Sequence, residues 1–203
     1  MSDNPVSAEK SRLRQHHRQL RDQIPQAQRT AESDGVRRRV LELAELSAAA
    51  RVFVYASQGS EVQTYTLIED LLAMGKAVAV PRLEDVSAGT MRAVPITSLK
   101  QLAPRPEHFG LLEPPAKAPA WGDDPARDAE TLVLVPAVAV SPRTGRRVGS
   151  GAGYYDRYLV QHPASVAVAL VYEAQLVDEV PAEPHDRGVA VVVTPARAIR
   201  VGG

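Results

Sequence analysis

Thr131-Leu-Val-Leu-Val-Pro136 is the stretch on which the fold class turns. A strand with one wet face alternates apolar and polar residues, whereas this run is apolar at every position after the threonine, as expected of a strand covered on both sides. Strands of that kind sit inside parallel sheets, and parallel neighbours are joined by crossovers that are usually helical. Working toward the N-terminus, Arg51-Val-Phe-Val-Tyr55 is a second β-branched and aromatic run, and the loop Ser57-Gln-Gly-Ser60 leads from it into an apolar helix over residues 64–74. Gly75 stops that helix, and Ala77-Val-Ala-Val80 is the next strand, closed by Pro81. Strand, helix and strand in this order predict a parallel pair with a right-handed crossover. Residues 91–96 add a further strand. Toward the C-terminus the pattern predicts a helix over 154–161, a strand over 166–171, a short helix over 173–176 and a last strand over 189–193. The alternation predicts an α/β protein with an open, mainly parallel sheet and helices on both faces.

Two helices precede this alternation. Over residues 8–24, Leu13, Leu20 and Ile24 fall on one side and Lys10, Arg14, Arg18 and Arg21 are spaced for another, with Pro25 ending the helix. Over residues 28–49, Val36, Val40, Leu43 and Leu46 recur at helical spacing. Between residues 101 and 130 there are six prolines, so that stretch reads as a long, mostly irregular surface connection inside one domain spanning 1–203.

Composition narrows the function classes. The chain has no cysteine, which excludes thiolate chemistry and disulfides and suits a reducing, cytoplasmic setting. No apolar stretch reaches the roughly 20 residues that span a bilayer, and the first residues are charged where an export signal would be apolar, so no membrane partner is expected. Lys and Arg total 24, as do Asp and Glu, and there are two Phe and one Trp. A neutral chain with so few stacking rings is not a nucleic-acid binder by composition.

Gly149, Gly151 and Gly153 alternate between a buried-looking strand and a helix, where bare backbone amides at a helix N-terminus can receive an anion. Alone, three glycines suit a tight strand-to-helix turn equally well, and neither common nucleotide-binding glycine pattern is present. The neighbours favour a ligand: Arg143, Arg146 and Arg147 precede the glycines, and Tyr154, Tyr155, Asp156 and Arg157 follow. A carboxylate just beyond a phosphate loop suits Mg²⁺, although an acid in a first helical turn is also favoured by the helix dipole alone.

Gly145-Arg-Arg-Val-Gly-Ser-Gly-Ala-Gly-Tyr-Tyr-Asp-Arg-Tyr-Leu159 closely resembles the signature of the 5-formyltetrahydrofolate cyclo-ligase family, also called methenyltetrahydrofolate synthetases. The likeness extends to Lys10-Ser-Arg-Leu-Arg14, Glu61-Val-Gln-Thr64, Phe109-Gly-Leu-Leu-Glu-Pro114 and His185-Asp186, in order, over about residues 8–195. The resemblance implies ATP- and Mg²⁺-dependent closure of 5-formyltetrahydrofolate to 5,10-methenyltetrahydrofolate; a monomer is expected, though nothing in the sequence fixes the oligomeric state. The resemblance places Lys10 and Arg14 on the ATP phosphates together with the loop Arg147, Val148, Gly149, Ser150, Gly151, Ala152, Gly153, Tyr154 and Tyr155. It makes Arg147 and Tyr155 catalytic, puts Ala56 and Glu61 against the folate, and assigns Asp156 and Asp186 to the metal. In several places the chain departs from the family pattern. Pro136-Ala-Val-Ala-Val-Ser141 replaces a Pro-Gly-x-x-Phe-Asp segment, so Val140 and Ser141 are expected to alter one wall of the pocket, and Ser150 and Ala152 change the loop itself. These changes keep two other readings open, a non-catalytic binding relative and an enzyme for another phosphorylated small molecule.

Overall fold

The computed structural model describes residues 5–108, 110–122 and 124–202. Its main sheet has seven strands, β1 (Arg51–Val54), β2 (Ala77–Asp85), β3 (Thr90–Ile96), β6 (Thr131–Pro136), β9 (Val166–Leu170), β10 (Val191–Val193) and β11 (Ala198–Arg200), in the order β11-β10-β9-β6-β1-β2-β3. Short ribbons pair β4 (Ala103–Arg105) with β5 (Leu111–Glu113) and β7 (Ala139–Val140) with β8 (Arg147–Val148). The five inner strands run parallel, and the two edges, β3 and β11, are antiparallel. Thr131-Leu-Val-Leu-Val does lie at the centre: β6 pairs β1 on one side and β9 on the other.

Strand periodicity then divides the core. Leu132 and Leu134 point to one face with Val52 and Val54, where α2 (Gln26–Leu41), α3 (Ala44–Ala48) and α4 (Tyr65–Ala73) cover them. Val133, Val135 and Phe53 point to the other, where α6 (Tyr154–Gln161) lies on them through Tyr158 and Leu159. A four-residue helix, α5 (Pro125–Asp128), precedes β6, and α1 (Pro5–Gln23) contacts β7, β8 and the turn after β9, at the carboxyl ends of the parallel strands.

Several elements differ from the sequence expectation. The second helix breaks at Glu42 and Leu43 into α2 and α3, the first ending with the Glu42 amide bonded to Arg39 O and the Leu43 amide to Val40 O. Pro81 does not end β2, because β1 pairs only as far as Ala79; beyond it β2 has a neighbour on one side, where a missing donor is tolerated. The proline-rich connection carries the β4–β5 ribbon and α5. β10 is not the last strand, since β11 folds back beside it. On α1 the buried residues are Lys10, His17 and Arg21, while Arg14 is half-buried and Arg18 exposed.

The β7–β8 ribbon carries the chain from β6 to the glycine loop. Its return at Gly145 needs a left-handed residue, φ 69°, and a Cβ there would sit 2.3 Å from Val189 O. That turn fixes where Arg147 leaves the ribbon. No helix among the described residues is long and apolar enough to cross a membrane.

Leu134 is fully buried between β1 and β9. Leu134→Ala is expected to cost about 2–5 kcal/mol of unfolding free energy, read as a lower urea midpoint at unchanged m-value.

Candidate active site at the carboxyl edge of the sheet

Two clefts open beneath α1. One, of about 520 Å³, lies between Arg18, Arg21 and Asp22 of α1, the loop Gln58–Glu61 after β1, Pro136, Ala137 and Val138 after β6, and Tyr154 and Tyr155 at the start of α6. The other, of about 730 Å³, lies between Lys10 and Arg14 of α1, the glycine loop, and Glu183, His185 and Asp186. They share Arg147, Gly149, Gly153 and Asp156, and so meet at one ion pair.

Arg147 is that meeting point. Its side chain is 2% exposed; Nη1 donates to Asp156 Oδ1 at 3.3 Å, and Nη2 lies 3.2 Å from the same oxygen. Asp156 Oδ1 also accepts from the Arg187 amide at 3.0 Å. Nε and Nη2 of Arg147 and the hydroxyls of Tyr154 and Tyr155 are sealed from solvent and have no hydrogen-bond partner among the described residues. Buried donors are rarely left unused, and four of them here border one cleft. Burial raises the pKa of Tyr155 far above its ordinary value, so its hydroxyl stays protonated and can only donate its proton in a hydrogen bond or accept one.

The loop is held from outside by its carbonyls. Arg14 Nε donates to Gly149 O at 2.9 Å, and Arg157 Nη1 donates to Ala152 O at 2.6 Å. Gly151 and Gly153 have positive φ, 117° and 72°, and Gly153 hands the chain to α6. The amides from Gly149 to Gly153 make no backbone hydrogen bond among the described residues. With the carbonyls turned to arginines and the amides unspent before a helix N-terminus, the loop is built to receive an anion.

Lys10 Nζ lies 2.5 Å from Asp186 Oδ2 and 2.9 Å from Glu183 Oε2. Burial, the largest single influence, works against both charges of the Lys10–Asp186 pair, but their mutual bond, the Glu183 carboxylate beside Lys10 and the Glu183 amide on Asp186 together outweigh it: the Lys10 pKa is raised and that of Asp186 is lowered. Glu61 Oε2 accepts from the Gln58 amide at 2.9 Å. Burial raises the Glu61 pKa, while that bond and the charges of Arg21 and Arg18 pull the other way. Arg21 Nε donates to Ser60 Oγ at 2.9 Å, and Ser60 Oγ in turn donates to Asp22.

The structure therefore gathers Lys10, Arg14, Glu61, the whole run Arg147 to Asp156, and Asp186 around the two clefts. It does not bring in Ala56, which is buried two residues beyond β1 and lines neither; Gln58 to Glu61 take that place. Arg143 is turned away onto Glu179, and Arg146 is exposed. Val140 and Ser141 are fully buried behind the wall, with Ser141 Oγ donating to Asp178 O; the wall itself is Pro136, Ala137 and Val138, of which only Ala137 departs from the family pattern. Phe109 of the expected Phe-Gly-Leu-Leu-Glu-Pro segment lies outside the described residues. Among the described residues, Asp186 groups with Glu183 and His185 as potential metal donors within 4.8 Å of one another, and Asp156 stands apart from that group. Sequence reasoning passed over Arg18 and Arg21 as site residues, although they continue the Lys10 and Arg14 spacing along one helix face. Glu183 carried no comparable signal.

An open α/β sheet whose carboxyl edge holds a glycine loop between two clefts lined by both bases and acids has the form of a small-molecule enzyme. The 5-formyltetrahydrofolate cyclo-ligase family model matches residues 6–195. The chain is 37% identical to a 5-formyltetrahydrofolate cyclo-ligase of Mycolicibacterium smegmatis over 193 residues, covering 94% of this chain and 95% of that one. It is 31% identical to the Escherichia coli protein of the same name over 155 residues, covering 73% and 80%. The solution structure of 5,10-methenyltetrahydrofolate synthetase from Aquifex aeolicus superposes with a TM-score of 0.79 at 26% identity, covering 96% of this chain and 93% of that one. The chain belongs to the 5-formyltetrahydrofolate cyclo-ligase family, and is a ligase of folate one-carbon metabolism.

The Lys10–Asp186 bond predicts a signed pH dependence. A depressed carboxyl pKa contributes stability above the unfolded value, near 4, that is lost as pH falls through the folded one; a raised lysine pKa contributes below about 10.4 and is lost above it. The stability gap between the native protein and Asp186→Asn is thus expected to be widest between about pH 5 and 9 and to close on acidification, measured by urea unfolding across that range.

Proposed function

We propose that the protein closes 5-formyltetrahydrofolate to 5,10-methenyltetrahydrofolate at the expense of ATP, with ATP phosphates on the loop side and folate on the Glu61 side of Arg147. The observation that carries this reading is the junction itself: a buried guanidinium with unspent donors stands where the two clefts meet. A reaction that joins an oxygen of one substrate to a phosphoryl group of another needs a cation at that position.

In this reading the formyl oxygen attacks the γ-phosphorus, the bond to the ADP oxygen breaks, and the formyl carbon becomes activated. N10 then attacks that carbon and loses its proton, and phosphate departs carrying the former formyl oxygen. Little covalent work falls to the protein, whose contribution is alignment and charge. Arg147 Nε and Nη2 and the amides of Gly149 to Gly153 receive the transferring phosphoryl charge, and Lys10 and Arg14 hold the remaining phosphates. The protonated hydroxyls of Tyr154 and Tyr155 orient the formyl group, and Glu61 accepts from the pterin amide and amino group, as a half-buried carboxylate with few competing donors can.

Oxygen donors of the kind a hard cation takes, Asp156, Asp186 and Glu183, face the phosphate-side cleft, and Lys10 bridges two of them while balancing one charge. They would hold Mg²⁺, which screens phosphate charge when bound with the nucleotide. The protein is read as a monomer working in the cytoplasm.

Arg147→Met is expected to lower kcat about 100-fold or more while the protein keeps its far-ultraviolet dichroism, read from near-ultraviolet absorbance of the methenyl product with ATP and Mg²⁺. Wild-type turnover in that variant would remove Arg147 from the reaction. For Glu61→Gln the expectation is a KM for 5-formyltetrahydrofolate raised about tenfold with the KM for ATP unchanged; the opposite split would place Glu61 on the nucleotide side.

A further inference from the structure

A third cleft, of about 420 Å³, opens on the α6 face of the sheet beside the amino ends of β1 and β6. It shares no lining residue with the Glu61 cleft and only Gln161 with the phosphate-side cleft. Its walls are polar: Arg51, Asp128, Tyr158 and His162 line it, with Trp121 over one side and Arg92 and Glu84 at the rim. Most of these charges are spent on one another. His162 Nδ1 is 2.9 Å from Asp128 Oδ1, both nearly buried, and Arg92 Nε is 2.8 Å from Glu84 Oε1.

Arg51 is the exception. It is 7% exposed, and its guanidinium carbon lies 3.8 Å from the centre of the Trp121 ring. Its side chain makes neither a hydrogen bond nor an ion pair among the described residues. Burial, the largest influence, lowers its pKa; Tyr158, Asp128 and Asp124 oppose this only through space, and Arg127 adds to it. Trp121 is itself fixed, its amide donating to Ala93 O on β3 at 2.8 Å. Stacking on an indole occupies one face of a guanidinium and leaves the in-plane N–H groups free, which is the geometry that takes a carboxylate with two parallel hydrogen bonds. The neighbouring acids, Asp128 and Glu84, make a multiply charged ligand a poor fit, so one negative charge suits the site better than several.

We propose that this cleft is a second ligand site, which binds the carboxylate of a small monoanionic molecule through Arg51 stacked on Trp121. It needs neither ATP nor folate and is independent of the reaction proposed for the carboxyl edge.

Trp121 is the chain's single tryptophan, so its fluorescence reads this site alone. The native protein is titrated with sodium acetate, sodium benzoate and inorganic phosphate at constant ionic strength, with chloride as the reference salt. Expected are a saturable change with acetate or benzoate, a weaker one with phosphate, and none with chloride. Arg51→Met should weaken the carboxylate response about tenfold or more, and Arg51→Lys, which keeps the charge but loses the fork, should fall between. Absence of a saturable response in the native protein, tighter binding of phosphate than of carboxylate, or an unchanged response in Arg51→Met would each overturn the proposal. If Arg51→Met loses its native dichroism, Arg51→Lys and the native titrations decide alone.

Discussion

Arg147 is placed where a guanidinium is expensive to keep. Taking such a charge out of water costs several kcal/mol, and one carboxylate oxygen, already shared with a backbone amide, returns only part of that. Much of the surrounding architecture exists to hold it there. The buried run of β6 delivers the chain to the carboxyl edge, the β7–β8 ribbon turns it at Gly145, and α6 returns Asp156 beneath the arginine. Removing one partner of a buried pair typically costs about 3–5 kcal/mol, so the arrangement is stable only as a whole. A site of this kind is preorganised: the energy of assembling its charges is spent at folding, before any substrate arrives.

The parallel core was legible because its signal is local. An uninterrupted apolar run such as Thr131 to Val135 has few alternatives, and α6 begins and ends at the residues its glycine and apolar pattern indicated. What remained hidden depends on contacts between distant segments. Pro81 looks like a strand terminator until its neighbour β1 is known to have ended first. β11 is three residues long and acquires its identity only from β10. The role of Val140 and Ser141 was misjudged for the same reason: residues two and three positions beyond the true wall, Pro136 to Val138, turn into the core once the ribbon forms.

The first helix inverts the usual rule for amphipathic segments. Its leucines pack only in part, whereas Lys10, His17 and Arg21 are the residues it buries. The explanation lies in what it covers. It lies against the loop that follows β1, the β7–β8 ribbon and the segments that follow β9, where oxygen acceptors collect, and each buried base meets one: Lys10 the Asp186 and Glu183 carboxylates, His17 the Ala174 carbonyl, Arg21 the Ser60 hydroxyl. A period-based reading finds the basic stripe and assigns it to water, because periodicity reports which residues share a face and not what that face meets.

The partners of Lys10, Glu183 and Asp186, stand 173 and 176 residues further along the chain. The row of positive charge on α1 therefore finds its carboxylates only after the whole sheet has been threaded between them. Contacts of such long range are slow to form and contribute only when the sheet between them is complete. The phosphate-side cleft is thus a property of the assembled fold and of no single segment, and a defect anywhere in the intervening sheet would be felt in the closure of its far wall.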